Sequence, residues 1–193
     1  MWRLLMVVSV IPPLLVMALR WWHGTRVLVV EGGRMCRADL ARWLPEPDTA
    51  ATARRSEETA RVIGFHLWRY ALREWAVRDA KSAKARAKAK AFATAVTPCT
   101  VICVAFALVL GKVPVVGAFA LVIASLAAAA VFAYLSLGAE LREVARAANR
   151  LREAKAFRSR DDEDAVIACA MAHAWHQALP PVLRWLQGGK GAK

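Results

Sequence analysis

Acidic residues are in short supply: 15 Asp and Glu stand against 28 Lys and Arg, for a net charge of +13. Charge of either sign is nearly missing from residues 92–137, where Lys112 is the sole ionised side chain among 46 residues. That gap excludes an ordinary soluble basic domain, whose cations would be spread along the chain. The four cysteines, Cys36, Cys99, Cys103 and Cys169, are scattered in apolar, helix-like contexts. They write no disulfide framework, and reduced thiols are expected. Internal repeats are missing, which excludes a solenoid. Gly32-Gly33 alone makes no phosphate-binding loop. The basic residues come without a recognition motif or an aromatic stacking platform, so nucleic acid is not an expected partner.

What is present is apolar. Hydrophobic residues make up 58% of the 193, and the mean hydropathy is +0.34, which excludes a disordered tail. Apolar and basic residues are segregated, as in a membrane protein with basic aqueous parts. Leu4–Leu19 is an apolar run broken only by Ser9 and Pro12-Pro13, and Arg20-Trp21-Trp22 closes it as an interface anchor would. With no small-x-small cleavage site after it, the run is expected to be a retained anchor. Residues 92–137 as one helix would extend about 69 Å, against a bilayer core of roughly 30 Å. The segment must therefore fold back. Gly111-Lys112-Val113-Pro114 supplies the turn, giving spans near 92–110 and 115–137.

The expected fold is an all-α integral membrane protein of three transmembrane helices with cytoplasmic amphipathic helices. Its parts are an anchor (1–22), a basic cytoplasmic segment (23–91), a transmembrane hairpin (92–137) and a cytoplasmic C-terminal segment (138–193). Residues 20–90 carry 16 Lys/Arg and residues 140–193 carry 10, whereas the N-terminal tip and the hairpin turn hold one cation each, Arg3 and Lys112. The positive-inside rule then places both large basic parts in the cytoplasm and the N-terminus outside.

Within the aqueous parts, Arg26–Val30 is the one strand-like run. Arg37–Leu44 reads as a short helix. Ser56, followed by Glu57 and Glu58, reads as the cap of a longer helix. On that helix Phe65, Trp68, Leu72 and Trp75 share a face, which is expected to bind a partner. Lys81, Lys84, Arg86, Lys88 and Lys90 alternate with small residues just before the second span and are expected to meet anionic headgroups. Small residues on the hairpin, Gly117 and Ala128 among them, are expected to permit close contact with other membrane subunits or a second copy. Ser159 and the acids after it open a final helix. On this helix Cys169, His173 and His176, at i, i+4 and i+7, form a candidate zinc or copper group. They read first as polar or small positions packed against the bundle.

The order of these parts resembles the YugP-like neutral zinc metallopeptidases of bacterial membranes. Residues 37–44 (RADLARWL) look like that family's helix after the first span. Residues 62–72 (VIGFHLWRYAL) look like its HExxH helix, residues 140–151 (ELREVARAANRL) like its glutamate helix, and residues 164–174 (DAVIACAMAHA) like its Ala-rich last helix. The resemblance makes His66 and Glu140 vestigial zinc ligands and the bacterial cytoplasmic membrane the expected location. It also shows what is lost. Leu67 stands where the general base would be and Tyr70 where the second histidine would be. Leucine cannot accept a proton, and a neutral phenol is a poor zinc ligand. The interval Pro45–Thr59 is short and reads as lacking strand character.

The expected function is thus a catalytically inactive, peptidase-like membrane protein serving as a structural or partner-binding subunit, with no cofactor needed and zinc possible. Two alternatives stand beside it. One is an active metalloenzyme that rebuilds its site from His66, Glu140 and the Cys169/His173/His176 group. The other is a basic membrane-anchored adaptor for anionic lipid or nucleic acid.

Overall fold

The computed structural model describes residues 2–37 and 57–177. They are almost wholly helical, and three of the helices are long and apolar enough to cross a membrane. The elements are α1 (Trp2–Arg20), a π-helical turn (Trp21–Thr25), α2 (Arg26–Val30), β1 (Met35–Arg37), β2 (Glu57–Thr59), α3 (Ala60–Arg78), α4 (Ala80–Val109), α5 (Val115–Glu153) and α6 (Arg160–Gln177). The chain divides into two compact units. One contains residues 1–19 and 84–136, and the other contains residues 20–83 and 137–177. The two segments read from the sequence as separate aqueous parts therefore contribute to a single unit.

In the first unit, alanines bring helices close together. Val16 of α1 packs on Ala130 of α5, with Met17 and Leu126 beside them. Ala93 of α4 packs on Ala129 and Ala133, with Val96 beside them. Consecutive alanines on α5 thus serve two different neighbours. The rings of Phe92 and Phe132 meet edge to face at 4.9 Å. The hairpin turn falls where the breakers predict. Gly111 takes φ +64°, its N–H donates to the Leu108 carbonyl at 3.0 Å, and the Lys112 N–H donates to Ala107 at 2.9 Å. Those two bonds satisfy carbonyls that the end of α4 would otherwise leave open, and the left-handed residue they require is cheapest as glycine.

In the second unit the core lies between α3 and α6. Ile63, Leu67, Trp68, Ala71 and Trp75 of α3 are buried, as are Ala165, Val166, Ile167, Cys169, Ala170, Ala172 and Ala174 of α6. The helices nearly touch at Gly64: a Cβ there would lie 2.7 Å from Cys169 Cβ and 2.9 Å from the Ala170 nitrogen. The π-helical turn and α2 also pack on α6. Four acids follow Ser159 at the start of α6, and arginines from elsewhere in the unit hold them. Arg34 pairs with Asp162 at 3.2 Å, and Arg152 pairs with Glu163 and Asp164 at 2.7 Å each. Asp79 ends α3 and starts α4, its Oδ1 accepting from the Ser82 N–H at 3.1 Å. A hydrogen bond from the Ser82 side chain, and then that backbone bond, pull its carboxyl below the ordinary range.

Several local expectations are corrected. Arg26–Val30 is helical, not a strand: the helix of the first span continues through the π turn to Val30 and buries Leu28. Three β-branched valines lower helix propensity only slightly, and packing on α6 outweighs that preference. The strands lie elsewhere. β1 pairs antiparallel with β2 in the register Met35↔Thr59, Cys36↔Glu58, Arg37↔Glu57. Glu57 and Glu58 are therefore strand residues rather than a helix first turn, and the interval Pro45–Thr59 does contribute a strand. Thr59, in extended conformation, precedes α3 without a side-chain cap bond. The first N–H groups of α3 are met by backbone instead, Ala60 donating to Arg34 O at 2.8 Å and Arg61 to Gly32 O at 3.2 Å. The expected helix at Arg37–Leu44 lies outside the described residues except for Arg37, which is in β1. Residues 140–151, likened to a separate glutamate helix, are the continuation of the third span; α5 runs unbroken from Val115 to Glu153.

Candidate functional site

A set of polar contacts, two of its glutamates buried, lies where α3 meets the lower part of α5. Glu140 is 1% exposed, and its Oε1 accepts from the Trp68 indole N–H at 2.6 Å. One turn on, the buried Glu143 accepts from Arg78 of α3 and from Arg146 at 2.7 Å. Glu74 and Arg150 pair further along the same two helices. A row of acid–arginine contacts thus ties α3 to α5, with the one indole contact at its head. Both Glu140 and Trp68 were singled out in the sequence, but in unrelated roles. What joins them is the fold, since 72 residues separate them.

The face Phe65/Trp68/Leu72/Trp75 is not a free partner surface. Trp75 is 4% exposed and Trp68 9% exposed, and Phe65 and Leu72 are half-buried. Phe65 lies 5.7 Å from Trp68 and 5.4 Å from the His173 ring. Helical periodicity identifies an apolar face and does not say whether the same chain covers it; here Phe65 meets His173 of α6 and Trp68 meets Glu140 of α5.

The group Cys169/His173/His176 is not assembled as a ligand set. Residues i and i+7 of a helix share a face but stand about 10.5 Å apart along the axis, while zinc bonds are about 2.0–2.3 Å long. Each of the three has its own neighbour. Cys169 is fully buried against the Gly64 position. His173 Nε2 donates to Arg61 O at 3.0 Å. His176 Nε2 is 2.9 Å from Arg20 Nη2, a nitrogen that can only donate. Burial raises the Cys169 thiol to about 11, with nearby Cys36 and Glu31 adding to the shift. Burial lowers the His173 imidazole. His66 is half-buried, its ring 6.0 Å from that of Phe65. Among the described residues no three His, Cys, Asp or Glu form a group able to hold a metal ion.

Contacts the sequence did not suggest gather around the π turn. Arg20 is buried at its start and bonds to His176. The His23 ring stacks on Trp175 at 5.2 Å, and a Cβ built at Gly24 would lie at an ordinary contact distance of 3.4 Å from Ala172 O and Trp175 Cβ. The only sequence signal is the cluster Arg20–Gly24 at the end of an apolar run, which reads first as an interface anchor. An open groove of ≈ 660 Å³ lies between α5 and α6, lined by Arg152, Lys155, Phe157, Arg158, Arg160, Glu163 and Asp164. Its two acids are those already held by Arg152.

Of the basic run, Lys81, Lys84 and Lys88 are exposed on α4, while Arg86 and Lys90 are half-buried. Gly117 is buried and Ala128 half-buried, with Ala129 and Ala130 turned to α4 and α1. Much of the small-residue surface is therefore spent inside the unit. Comparison with protein-family models, with characterised proteins and with solved structures finds no match for this chain.

Proposed function

We propose that this chain is a non-hydrolytic integral membrane protein acting as a structural subunit of a membrane complex. It is a degenerate relative of the YugP-like peptidases set in the bacterial cytoplasmic membrane, with both basic segments on the cytoplasmic side. The observation that carries this reading is the apolar surface of the hairpin. Phe106 and Leu135 are each 67% exposed and Phe119 is 63% exposed, all within helices long enough to span a bilayer. Side chains of that size left outside a protein's own core are covered by lipid or by another protein. Two features of the peptidase-like positions agree. Leu67, in the place of the general base, is 2% exposed in the α3–α6 core. Glu140 is occupied by the Trp68 indole.

The test places a photo-crosslinking residue at Phe106 or Phe119 in native membranes. The reading expects a protein adduct of one defined mass at one of the two positions. Lipid adducts alone at both positions would remove the subunit role, and a chain extracted by alkaline carbonate would remove the membrane.

A further inference from the structure

From α4 we infer that Lys81, Lys84 and Lys88 form a ladder that binds the anionic headgroups of the bilayer in which the helix stands, with a contribution graded by depth. This deepens the membrane reading and rests on it. The three lysines sit at i, i+3 and i+7, so they share a face, and all three are exposed. No acidic residue occurs between Asp79 and Glu140. Asp79 itself is spent in capping the helix through Ser82. Among the described residues no ion pair engages any of the three. The face is therefore cationic and uncompensated, and it complements an anionic surface.

Helix geometry sets the depths. The apolar part of α4, Phe92–Val109, has 18 residues and extends about 27 Å, close to a hydrocarbon core of roughly 30 Å. Phe92 then marks the edge of the core. Along the unbroken helix Lys88 lies about 6 Å beyond that edge, Lys84 about 12 Å and Lys81 about 16 Å. A headgroup layer of about 5–8 Å on each side puts Lys88 among the phosphates. Lys84 can reach them by extending its flexible stem, and Lys81 is separated from them by about one Debye length. A cation near such a surface contributes about 1 kcal/mol, or about five-fold in affinity. Lys88 should deliver that factor in full, Lys84 in part and Lys81 least.

The experiment uses the full chain in mild detergent, titrated with phosphatidylglycerol or phosphatidylcholine, with bound lipid counted by native mass spectrometry. Lysine-to-glutamine variants keep helix propensity while removing charge. The parent should prefer phosphatidylglycerol. Lys88→Gln should weaken that binding about five-fold, Lys81→Gln less than two-fold, and 0.5 M salt should erase the difference. Equal binding of both lipids to the parent overturns the ladder, as does equal loss from Lys81→Gln and Lys88→Gln. Displacement of the lipid by inorganic phosphate would assign the site to a free anion and overturn the lipid source. Alkaline-carbonate extraction of the same protein from membranes separates this from failure of the membrane reading, since a chain that leaves the membrane fails before any lipid is counted.

Discussion

Two glycines in helices offer a matched test of how α3 and α6 are held together. Gly64→Ala puts a methyl group where the Cys169 Cβ would be 2.7 Å away, the Ala170 nitrogen 2.9 Å and the Cys169 carbonyl carbon 3.0 Å. Ordinary contact begins at 3.4 Å, so the helices must part by several tenths of an ångström. Two of the three atoms are backbone and cannot swing aside. A gap of 0.5–1 Å forfeits a quarter to a half of each dispersion contact along the seam, and overpacking of this kind costs about 1–3 kcal/mol. Against it stands the better helix propensity of alanine, about 1 kcal/mol. The net should be a loss of up to about 2 kcal/mol, or up to about 8 °C in Tm at about 4 °C per kcal/mol for a unit of this size. Gly138→Ala is the control. Nothing lies within 4 Å of a Cβ there, so propensity acts alone and Tm should rise. The assay is thermal unfolding in detergent followed by far-ultraviolet circular dichroism. If both variants shift Tm in the same direction, the close crossing at Gly64 is refuted.

Other expectations follow from the same unit. Burial depresses the His173 pKa, so the unfolded chain binds the proton first. Stability should be full above the ordinary histidine value of about 6.5 and fall as pH drops below it; His173→Gln should flatten the stability profile between pH 7.5 and 5. Lys155 holds φ +50° at the end of α5, where its N–H donates to Arg152 O and that of Ala156 to Leu151 O. Lys155→Gly should raise stability by up to about 1 kcal/mol, measured by denaturant titration. Cys36 and Cys169 are fully buried, and their thiols are raised by desolvation first. A water-soluble maleimide at pH 7 should label neither until denaturant is added, and rapid labelling of Cys169 in the native protein would contradict its placement.

The parts legible in the sequence were those whose signals are local. Gly111 and Pro114 flank the one cation in a long apolar stretch, and the chain turns there. The acids after Ser159 mark a helix start because the helix dipole acts within a single turn. What stayed illegible depends on partners distant in sequence. Val27, Val29 and Val30 read as strand until packing on α6 is known. Glu57 and Glu58 read as a helix first turn until Cys36 and Arg37 arrive to pair with them. Trp68 and Trp75 read as an open face because nothing in their own helix says that the rest of the chain will bury it. For Cys169, His173 and His176 a shared helical face is necessary for a common ligand, and closeness along the axis is required as well.

The central claim, a membrane subunit rather than a self-sufficient enzyme, is tested most directly by native mass spectrometry of the chain drawn from its own membranes in mild detergent. The account predicts one assembly in which this chain holds a fixed stoichiometry with another membrane protein or with a second copy. A solitary chain carrying only lipid and detergent, in a preparation that hydrolyses peptide, would contradict it.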